Sequence, residues 1–304
     1  MKSSYSGIVL LAFLLLSGCQ PTIPPAPAAQ INPTQSSFPF KTSAGTLQTP
    51  SVTPTQLPSP TLIPTPAGCQ DQHGSIERQS INSKLLAKSL FFQLYLPPCY
   101  DAKKTNGYPL LILMHGQTFN DDQWVRLGVP ASADTLILSE KTPPFIVAMP
   151  YEEYWLSNPY ISKFGQSVVE ELIPWLDANF NTCAKKECRA IGGLSRGAAW
   201  AMHLGLTYWS IFGAIGAHSL VPFTGDPGFL PLWLKKIPSG QIPAIYMDMG
   251  DKDVYFKFAN NWDKLLTYYQ VPHEFHINSG RHEEPYWQAH VTDYLIWYAS
   301  HWQK

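Results

Sequence analysis

Short apolar runs alternate with longer amphipathic stretches along the chain from residue 68 onward. Pro109–Met114 and Phe145–Met149 are continuously apolar, which is typical of strands that are buried on both faces. Further segments with strand character are Ser75–Ser80, Phe91–Leu96, Arg189–Gly192, Ile211–Ala217, Ala244–Met249 and Glu274–Ile277.

Helical spacing is clearest in Ser162–Asn179, where Phe164, Val168 and Leu172 recur on one side. Pro174 lies inside this segment, so we expect the helix to tolerate the proline or to bend there. The other predicted helices are Ala198–Leu206, Tyr255–Tyr269 and Pro285–Trp302. Because strands and helices alternate, we predict an α/β fold with a mostly parallel central sheet and helices on both faces, formed by one domain over residues 68–304.

The first 18 residues have the pattern of an export signal. Lys2 precedes the apolar run Ile8–Leu16, which is too short to cross a bilayer core of ~30 Å as a helix. The sequence Leu16-Ser17-Gly18-Cys19 resembles the bacterial lipobox, in which the cysteine is acylated and becomes the mature N-terminus. The resemblance implies a signal peptide over residues 1–18 and lipid on Cys19. We therefore expect an exported protein anchored to the membrane on its extracytoplasmic side.

Residues 19–67 are predicted to form a linker. Residues 20–67 contain 12 prolines, many threonines and serines, and a single charged residue, Lys41. Such a segment cannot build a core and is typical of a solvated, extended tether. A proline-rich ligand for a binding partner is the alternative interpretation.

The charge balance narrows the range of partners. Lysine and arginine total 21 against 22 acidic residues, so the formal net charge is -1. Without a basic surplus or a basic run, the chain has little means of neutralising phosphates. We therefore expect neither a nucleic-acid partner nor a polybasic membrane patch.

The four cysteines after Cys19 are an even number in an exported domain, which favours disulfides. Cys69 precedes one strand-like segment and Cys99 follows the next, so an antiparallel hairpin would bring them together at its open end. Cys183 and Cys188 flank a short loop. We predict the pairs 69–99 and 183–188. A zinc site is the alternative, but the tight CxxC spacing that zinc prefers is missing, and we expect neither a metal nor another cofactor.

The pentapeptide Gly193-Leu194-Ser195-Arg196-Gly197 has the pattern G-x-S-x-G between an apolar strand and an alanine-rich helix. This is the setting of a nucleophile elbow, in which a tight turn exposes a serine and the glycines leave room for it. The N-terminus of the following helix favours negative charge near the serine. Ser195 is therefore the candidate nucleophile, and a glycine-rich turn with a capping serine is the alternative.

A serine hydroxyl is a weak nucleophile unless a base takes its proton. In proteins with a nucleophile elbow, an acidic residue and then a histidine follow the serine along the chain. Asp253 is the favoured acid because it lies past a strand end, where a loop can carry it to a histidine. Asp251 and Asp248 remain alternatives, and Asp253 could instead cap a helix. His282 is the favoured base because its loop lies at the carboxyl edge of the sheet, where ligands bind in open α/β folds. We interpret the other downstream histidines as structural.

Acyl transfer also requires two backbone N–H groups that stabilise an oxyanion. One is expected from Arg196, directly after the serine. The other is expected from the loop Met114-His115-Gly116-Gln117, which follows an early buried strand, and we assign it to Gln117.

These motifs together resemble the "Putative esterase" family of α/β-hydrolases, which includes esterase D, feruloyl and enterochelin esterases, and mycolyltransferases. The matching segments, spread over roughly residues 75–302, are Leu110–Gly116, Trp124, Gly193–Gly197, Gly250–Asp253, Gly280–His282 and Tyr286-Trp287. The resemblance implies an α/β-hydrolase fold with Ser195, Asp253 and His282 as its catalytic triad. Many members have glycine where this chain has Gln117, and Met or Leu where it has Arg196, so we expect the pocket to differ.

Aromatic residues are numerous near the expected site, where they could bind an aryl acyl group or stack on a sugar. Packing in the core is the alternative for each of Phe119, Trp124, Tyr151, Tyr154, Trp155, Trp200, Tyr286 and Trp287. Arg196 could attract an anionic substrate or lie at a solvated edge.

The resemblance implies a serine ester hydrolase that acts on a small-molecule or carbohydrate-linked ester. An acyltransferase with the same three residues and a non-catalytic binding lipoprotein remain alternatives.

Replacing Cys19 with alanine tests the anchor. Two or three acyl chains would hold the protein firmly, because each buried methylene contributes ~0.8 kcal/mol. After cell fractionation we expect the wild type in the membrane fraction and Cys19→Ala in the soluble fraction. Retention of the variant in the membranes would show that lipid on Cys19 is not the anchor.

Overall fold

The computed structural model describes residues 69–302. The predicted signal peptide, the lipidation site Cys19 and the predicted linker lie outside the described residues, so their assignments stay predictions.

A single sheet of eight strands forms the centre of the described domain. The strands are β1 (Ser75–Ser83), β2 (Lys88–Leu96), β3 (Leu110–Met114), β4 (Ile146–Pro150), β5 (Arg189–Leu194), β6 (Ala214–His218), β7 (Ala244–Gly250) and β8 (Glu274–Asn278). They lie side by side in the order β1-β2-β4-β3-β5-β6-β7-β8. β1 pairs antiparallel with β2, and β2 pairs antiparallel with β4, whereas the remaining neighbours in this sheet are parallel. This topology confirms the predicted mostly parallel sheet.

Helices pack on both faces of the sheet, as predicted. On one face lie α1 (Gln123–Arg126), α2 (Val129–Leu138) and α8 (Glu284–Ser300). On the other face lie α3 (Phe164–Ser167), α4 (Ile173–Asn179), α5 (Arg196–Thr207), α6 (Asp226–Leu234) and α7 (Phe256–Tyr268). No helix among the described residues combines the length and the hydrophobicity that a membrane crossing requires.

β3 shows why the predicted strands are continuously apolar. All five of its residues are buried, and successive side chains point to opposite faces of the sheet. Leu110 and Ile112 pack with the residues of α5, while Leu111 and Leu113 pack on the side of α2 and α8. Each fully buried side chain of this size contributes about 1.5–3 kcal/mol, so both layers depend on this central strand.

The predicted helix Ser162–Asn179 begins at Phe164 and contains a π-helical segment, Val168–Leu172, between α3 and α4. Pro174 is the second residue of α4, which begins directly after this segment. Proline has no N–H, and its ring clashes with the carbonyl oxygen four residues earlier in a regular helix. The wider π turn accommodates the proline without ending the helix.

The sequence pattern predicts none of α1, α2 and α6, and two of these helices, α2 and α6, contain prolines. α2 carries a proline in its first turn, and α6 has Pro227 at its start and Pro231 inside it. Proline fits the first turn of a helix but removes a hydrogen bond in its interior. Tertiary packing overrides this local penalty in α6, where Leu230 is fully buried.

Both predicted disulfides are present. Cys69 pairs with Cys99, 30 residues away, at the open end of the β1–β2 hairpin where Ser75 lies opposite Leu96. Cys183 pairs with Cys188 across a separation of 5 residues. The four sulfur atoms that a zinc site would have used are thus joined in two covalent bonds.

The two disulfides are expected to stabilise the domain unequally. A cross-link restricts the unfolded chain more when it closes a longer loop, and the loop-entropy relation gives about 3.5 kcal/mol for the longer loop and about 2 kcal/mol for the shorter. Urea denaturation of Cys69→Ser/Cys99→Ser and Cys183→Ser/Cys188→Ser measures both losses of unfolding free energy. A larger loss for the shorter loop would contradict this expectation.

Candidate functional site

Ser195 lies at the turn between β5 and α5, at the carboxyl end of the parallel strands. Its backbone has φ 53° and ψ -116°, a conformation that costs on the order of 1–3 kcal/mol for a residue with a side chain. Two close backbone contacts require the flanking glycines. A Cβ at Gly193 would lie 2.4 Å from the carbonyl of Gly197, and a Cβ at Gly197 would lie 2.1 Å from the carbonyl oxygen of Met114. The strand–turn–helix packing therefore enforces the strained serine.

An unbroken chain of hydrogen bonds links the serine to a histidine and an aspartate. The distance from His282 Nε2 to Ser195 Oγ is 2.9 Å, and the distance from His282 Nδ1 to Asp253 Oδ2 is 2.8 Å. With the imidazole neutral, Nδ1–H donates to the carboxylate and Nε2 accepts from the hydroxyl. The histidine side chain is 16% exposed and that of Asp253 is 0% exposed, so the aspartate is shielded while the histidine reaches solvent.

Two aromatic rings pack against the imidazole of His282. The rings of Tyr255 and Trp287 meet the His282 ring edge-to-face at centroid distances of 4.8 Å and 5.1 Å. Trp287 is fixed in turn because its Nε1–H donates to Ser219 Oγ at 3.0 Å. These contacts leave His282 little rotational freedom.

The structure gives the three candidate acids different partners. Asp253 contacts His282 through Oδ2, and its Oδ1 also accepts a hydrogen bond from the backbone N–H of Tyr255 at 2.8 Å. This bond is not a helix cap, because α7 has Tyr255 at its N-cap and no side-chain cap hydrogen bond, so the alternative interpretation of Asp253 as the capping residue is wrong. Asp251 is exposed and accepts from the backbone N–H of Gly280 at 2.9 Å, which supports the loop that carries the histidine.

Asp248 lies in a buried polar network away from Ser195. Its carboxylate accepts from the hydroxyls of Tyr286 at 2.6 Å and Tyr294 at 2.8 Å, and lies 2.7 Å from His218 Nδ1. Burial first and the charge of Asp248 second raise the pKa of both tyrosines, so the hydroxyls stay protonated and donate to the carboxylate. The network joins α8 to β6 and β7, and the backbone N–H of Ser195 donates to the carbonyl of His218 at 2.8 Å.

Both residues assigned to the oxyanion site face the same cleft as Ser195. Gln117 and Arg196 line the cleft with Ser195 and His282. The N–H of Gln117 donates to no acceptor among residues 69–302. Arg196 is the first residue of α5, where the backbone N–H has no partner within the helix. The two groups are therefore free to donate to a ligand.

The Arg196 side chain is paired with Glu152, a residue that no sequence motif marks. Its Nε and Nη2 contact the two carboxylate oxygens at 2.7 Å each, and Trp200 Nε1–H donates to the same carboxylate at 2.9 Å. The side chains of Arg196 and Glu152 are 11% and 4% exposed. Of the two alternatives for Arg196, the solvated edge residue is wrong, and the charge that could have attracted an anion is neutralised by Glu152.

The cleft above Ser195 has a volume of about 900 Å³. Its walls are rich in aromatic side chains: Phe119, Tyr160, Phe223, Tyr255 and Trp287. Tyr160 is held in place because its hydroxyl donates to Asp226 at 2.8 Å and accepts from the backbone N–H of Gly225 at 2.9 Å.

The eight aromatic residues expected near the site divide between the cleft and other places. Phe119 and Trp287 line the cleft, while Trp124, Trp200 and Tyr286 are buried in the core. Tyr151 and Tyr154 line a separate, smaller groove, and Trp155 lines neither cavity. Three further aromatic residues line the cleft without having been expected there: Tyr160, Phe223 and Tyr255. Of these, Tyr255 had an available signal, since it lies two residues after the candidate acid.

A family model described as "Putative esterase" matches residues 83–298 of this chain. Two curated proteins are similar in sequence. An endo-1,4-beta-xylanase/feruloyl esterase of Xylanibacter ruminicola is 33% identical over 194 residues, which cover 60% of this chain and 25% of that protein. An esterase of Mycobacterium tuberculosis is 30% identical over 213 residues, which cover 66% of this chain and 43% of that protein. The match therefore spans less than half the length of either relative.

The fold is also that of solved feruloyl esterase structures. A mutant of the feruloyl esterase module from Clostridium thermocellum, complexed with sinapinate, has a TM-score of 0.66 and 18% sequence identity. The match covers 80% of this chain and 94% of that chain. At this level of identity the likeness establishes the α/β-hydrolase fold.

The buried pair of Arg196 and Glu152 leads to a prediction about stability. Replacing Arg196 with methionine leaves a buried carboxylate without its cation, which typically costs about 3–5 kcal/mol. Adding Glu152→Gln removes the stranded charge, so we expect the double variant to regain most of the loss. Urea denaturation of both variants measures the difference. Equal stabilities would contradict the dependence on a buried charge.

Proposed function

The chain belongs to the "Putative esterase" family, and on that premise we propose that it is a serine carboxylic ester hydrolase with Ser195 as its nucleophile. The observation that carries the proposal is the hydrogen-bonded chain from Ser195 through His282 to Asp253 beside an open cleft. The esterase names of the two curated relatives support the same reaction class.

In the first half of the reaction, Ser195 Oγ attacks the carbonyl carbon of the ester while its proton passes to His282 Nε2. Asp253 keeps the imidazole oriented through Nδ1–H and stabilises the imidazolium that forms. The C–O bond to the alcohol then breaks, and the leaving oxygen takes the proton from His282. The product of this half-reaction is an acyl-enzyme on Ser195.

The tetrahedral intermediate places a negative charge on the former carbonyl oxygen. We assign its stabilisation to the backbone N–H groups of Gln117 and Arg196, neither of which donates to an acceptor within residues 69–302. The N-terminus of α5 adds a favourable dipole at the same position. Water then attacks the acyl-enzyme with His282 as the base. This step releases the carboxylic acid and regenerates the free Ser195 hydroxyl.

The lining of the cleft favours an uncharged, aromatic acyl group. Five aromatic side chains surround the space, and the guanidinium of Arg196 is occupied by Glu152. Glu283 lies in the same lining and opposes anionic substrates such as acyl carriers with phosphate groups, whereas the charge of Glu284 is paired with Arg126. Because the Xylanibacter and Clostridium relatives are named feruloyl esterases, we propose a feruloyl-like aryl ester of a carbohydrate or small alcohol.

We further propose that the reaction takes place outside the cytoplasm. The signal-like residues 1–18 and the lipobox cysteine Cys19 support export and lipid anchoring. The disulfides Cys69–Cys99 and Cys183–Cys188 fit the same location, because such bonds persist in oxidising compartments.

The role of Ser195 is tested by comparing the wild type with Ser195→Ala and with Ser210→Ala. Ser210 is an exposed serine outside the cleft and serves as the matched control. We expect a fluorophosphonate probe to label the wild type and Ser210→Ala but not Ser195→Ala. We also expect hydrolysis of methyl ferulate to fall at least about 10³-fold in Ser195→Ala alone, as for the loss of other triad nucleophiles.

Labelling of Ser195→Ala would refute the assignment of the nucleophile. A wild type that neither reacts with the probe nor hydrolyses methyl ferulate, 4-nitrophenyl acetate or acetylated sugars would refute the hydrolase. Acyl transfer to added alcohol that outruns hydrolysis would identify an acyltransferase instead.

A further inference from the structure

The peptide group between Gly116 and Gln117 is held by a side chain that the reaction itself does not use. His115 Nδ1 lies 2.7 Å from the carbonyl oxygen of Gly116, and the backbone N–H of Phe119 donates more weakly to the same oxygen at 3.3 Å. His115 is 4% exposed, so water does not compete for this contact.

The direction of the Gly116 carbonyl determines the direction of the Gln117 N–H. A trans peptide is planar, and its C=O and N–H groups point in opposite directions. A hydrogen bond that draws the carbonyl oxygen towards His115 therefore turns the N–H of the same peptide away from His115. Gln117 lines the cleft, and its N–H has no acceptor among the described residues. The histidine thus keeps this donor available to a ligand in the cleft.

A second contact decides which nitrogen of His115 carries the proton. The backbone N–H of Glu152 donates to His115 Nε2 at 2.8 Å, so Nε2 must be the unprotonated acceptor. The proton is then on Nδ1, where it is donated to the Gly116 carbonyl. Burial lowers the pKa of His115, which keeps the ring in the neutral form that this pair of contacts requires.

The other side of Gly116 is fixed as well. Its backbone N–H donates to Gln123 Oε1 at 2.8 Å, and Gln123 is fully buried. Gln123 Nε2–H donates to Glu284 at 3.2 Å, and Arg126 contacts the same carboxylate at 3.0 Å. Glu284 follows His282 by two residues, so these contacts tie the turn at Gly116 to the segment that carries the base.

We infer that His115 is a positioning residue that aims the Gln117 N–H at the oxyanion, through its Nδ1–H bond to the Gly116 carbonyl. The inference rests on the proposed function, because an oxyanion arises only if an acyl group is transferred. It assigns to His115 a part in transition-state stabilisation without contact to substrate.

Two isosteric substitutions separate this role from a structural one. The side-chain amide of asparagine can place an N–H near the position of Nδ1, whereas that of glutamine reaches the position of Nε2. His115→Asn therefore keeps the hydrogen bond to the Gly116 carbonyl and loses the one from the Glu152 N–H. His115→Gln keeps the hydrogen bond from the Glu152 N–H and loses the one to the Gly116 carbonyl. With 4-nitrophenyl acetate as the substrate, we expect kcat to fall on the order of 10²- to 10³-fold in His115→Gln, as for the loss of one oxyanion donor. We expect KM to change little, and His115→Asn to retain most of the wild-type kcat.

Inhibition by an aryl trifluoromethyl ketone, which forms a tetrahedral adduct on the serine, gives an independent readout. Its affinity should weaken in His115→Gln in proportion to kcat, while the affinity for the product acid stays unchanged. Nitrogen-15 NMR of the wild type adds a test that needs no folded variant, since His115 should appear as the neutral tautomer with the proton on Nδ1.

The inference is overturned if His115→Asn is no faster than His115→Gln, or if the wild-type ring carries its proton on Nε2. Failure of the proposed function looks different, because the wild type would then be no more active than Ser195→Ala.

Discussion

The close approach of α5 to β3 is the constraint on which the site depends. Gly197 lies against the carbonyl oxygen of Met114 at a distance that leaves no room for a Cβ, and Gly193 packs equally closely on Gly197. The chain between these glycines must turn sharply, which forces Ser195 into its strained conformation. The same contact sets the start of α5 beside the loop that follows β3, so the helix N-terminus and the peptide after Gly116 come to face one cleft.

Three carboxylates near this edge of the sheet have different roles because each contacts different side chains. Asp253 is buried against His282, Asp248 is buried among tyrosines, and Glu152 is buried against Arg196. A buried carboxylate is costly unless it is paired, so each is tied to specific donors. As a result the charges of these three carboxylates hold the protein's own side chains in place, while the cleft presents aromatic walls and two available backbone N–H groups.

Contacts encoded by neighbouring residues could be predicted from the sequence, whereas long-range polar contacts could not. The apolar run of β3, the turn at Ser195 and the cysteines around the first hairpin all have local signals. Three aspartates within six positions offered no local criterion beyond their place relative to the strand end, and the contact with His282 joins positions 29 residues apart, with α7 and β8 between them. The pairing of Arg196 with Glu152 joins positions 44 residues apart, so a side chain that looked free in the sequence is buried in the fold. Tyr160 and Phe223 reach the cleft from separate loops, and no periodic pattern marks such positions.

The disulfide Cys69–Cys99 has a mechanical consequence for a protein that is pulled from its N-terminal side. Tension that arrives at Cys69 can pass through the sulfur atoms to Cys99, and the residues enclosed by this covalent loop then carry none of it. β1 and β2 both lie inside the loop. The edge of the sheet is therefore shielded from being peeled strand by strand, and a stretching force would first be borne by the chain that leads from Cys99 into β3.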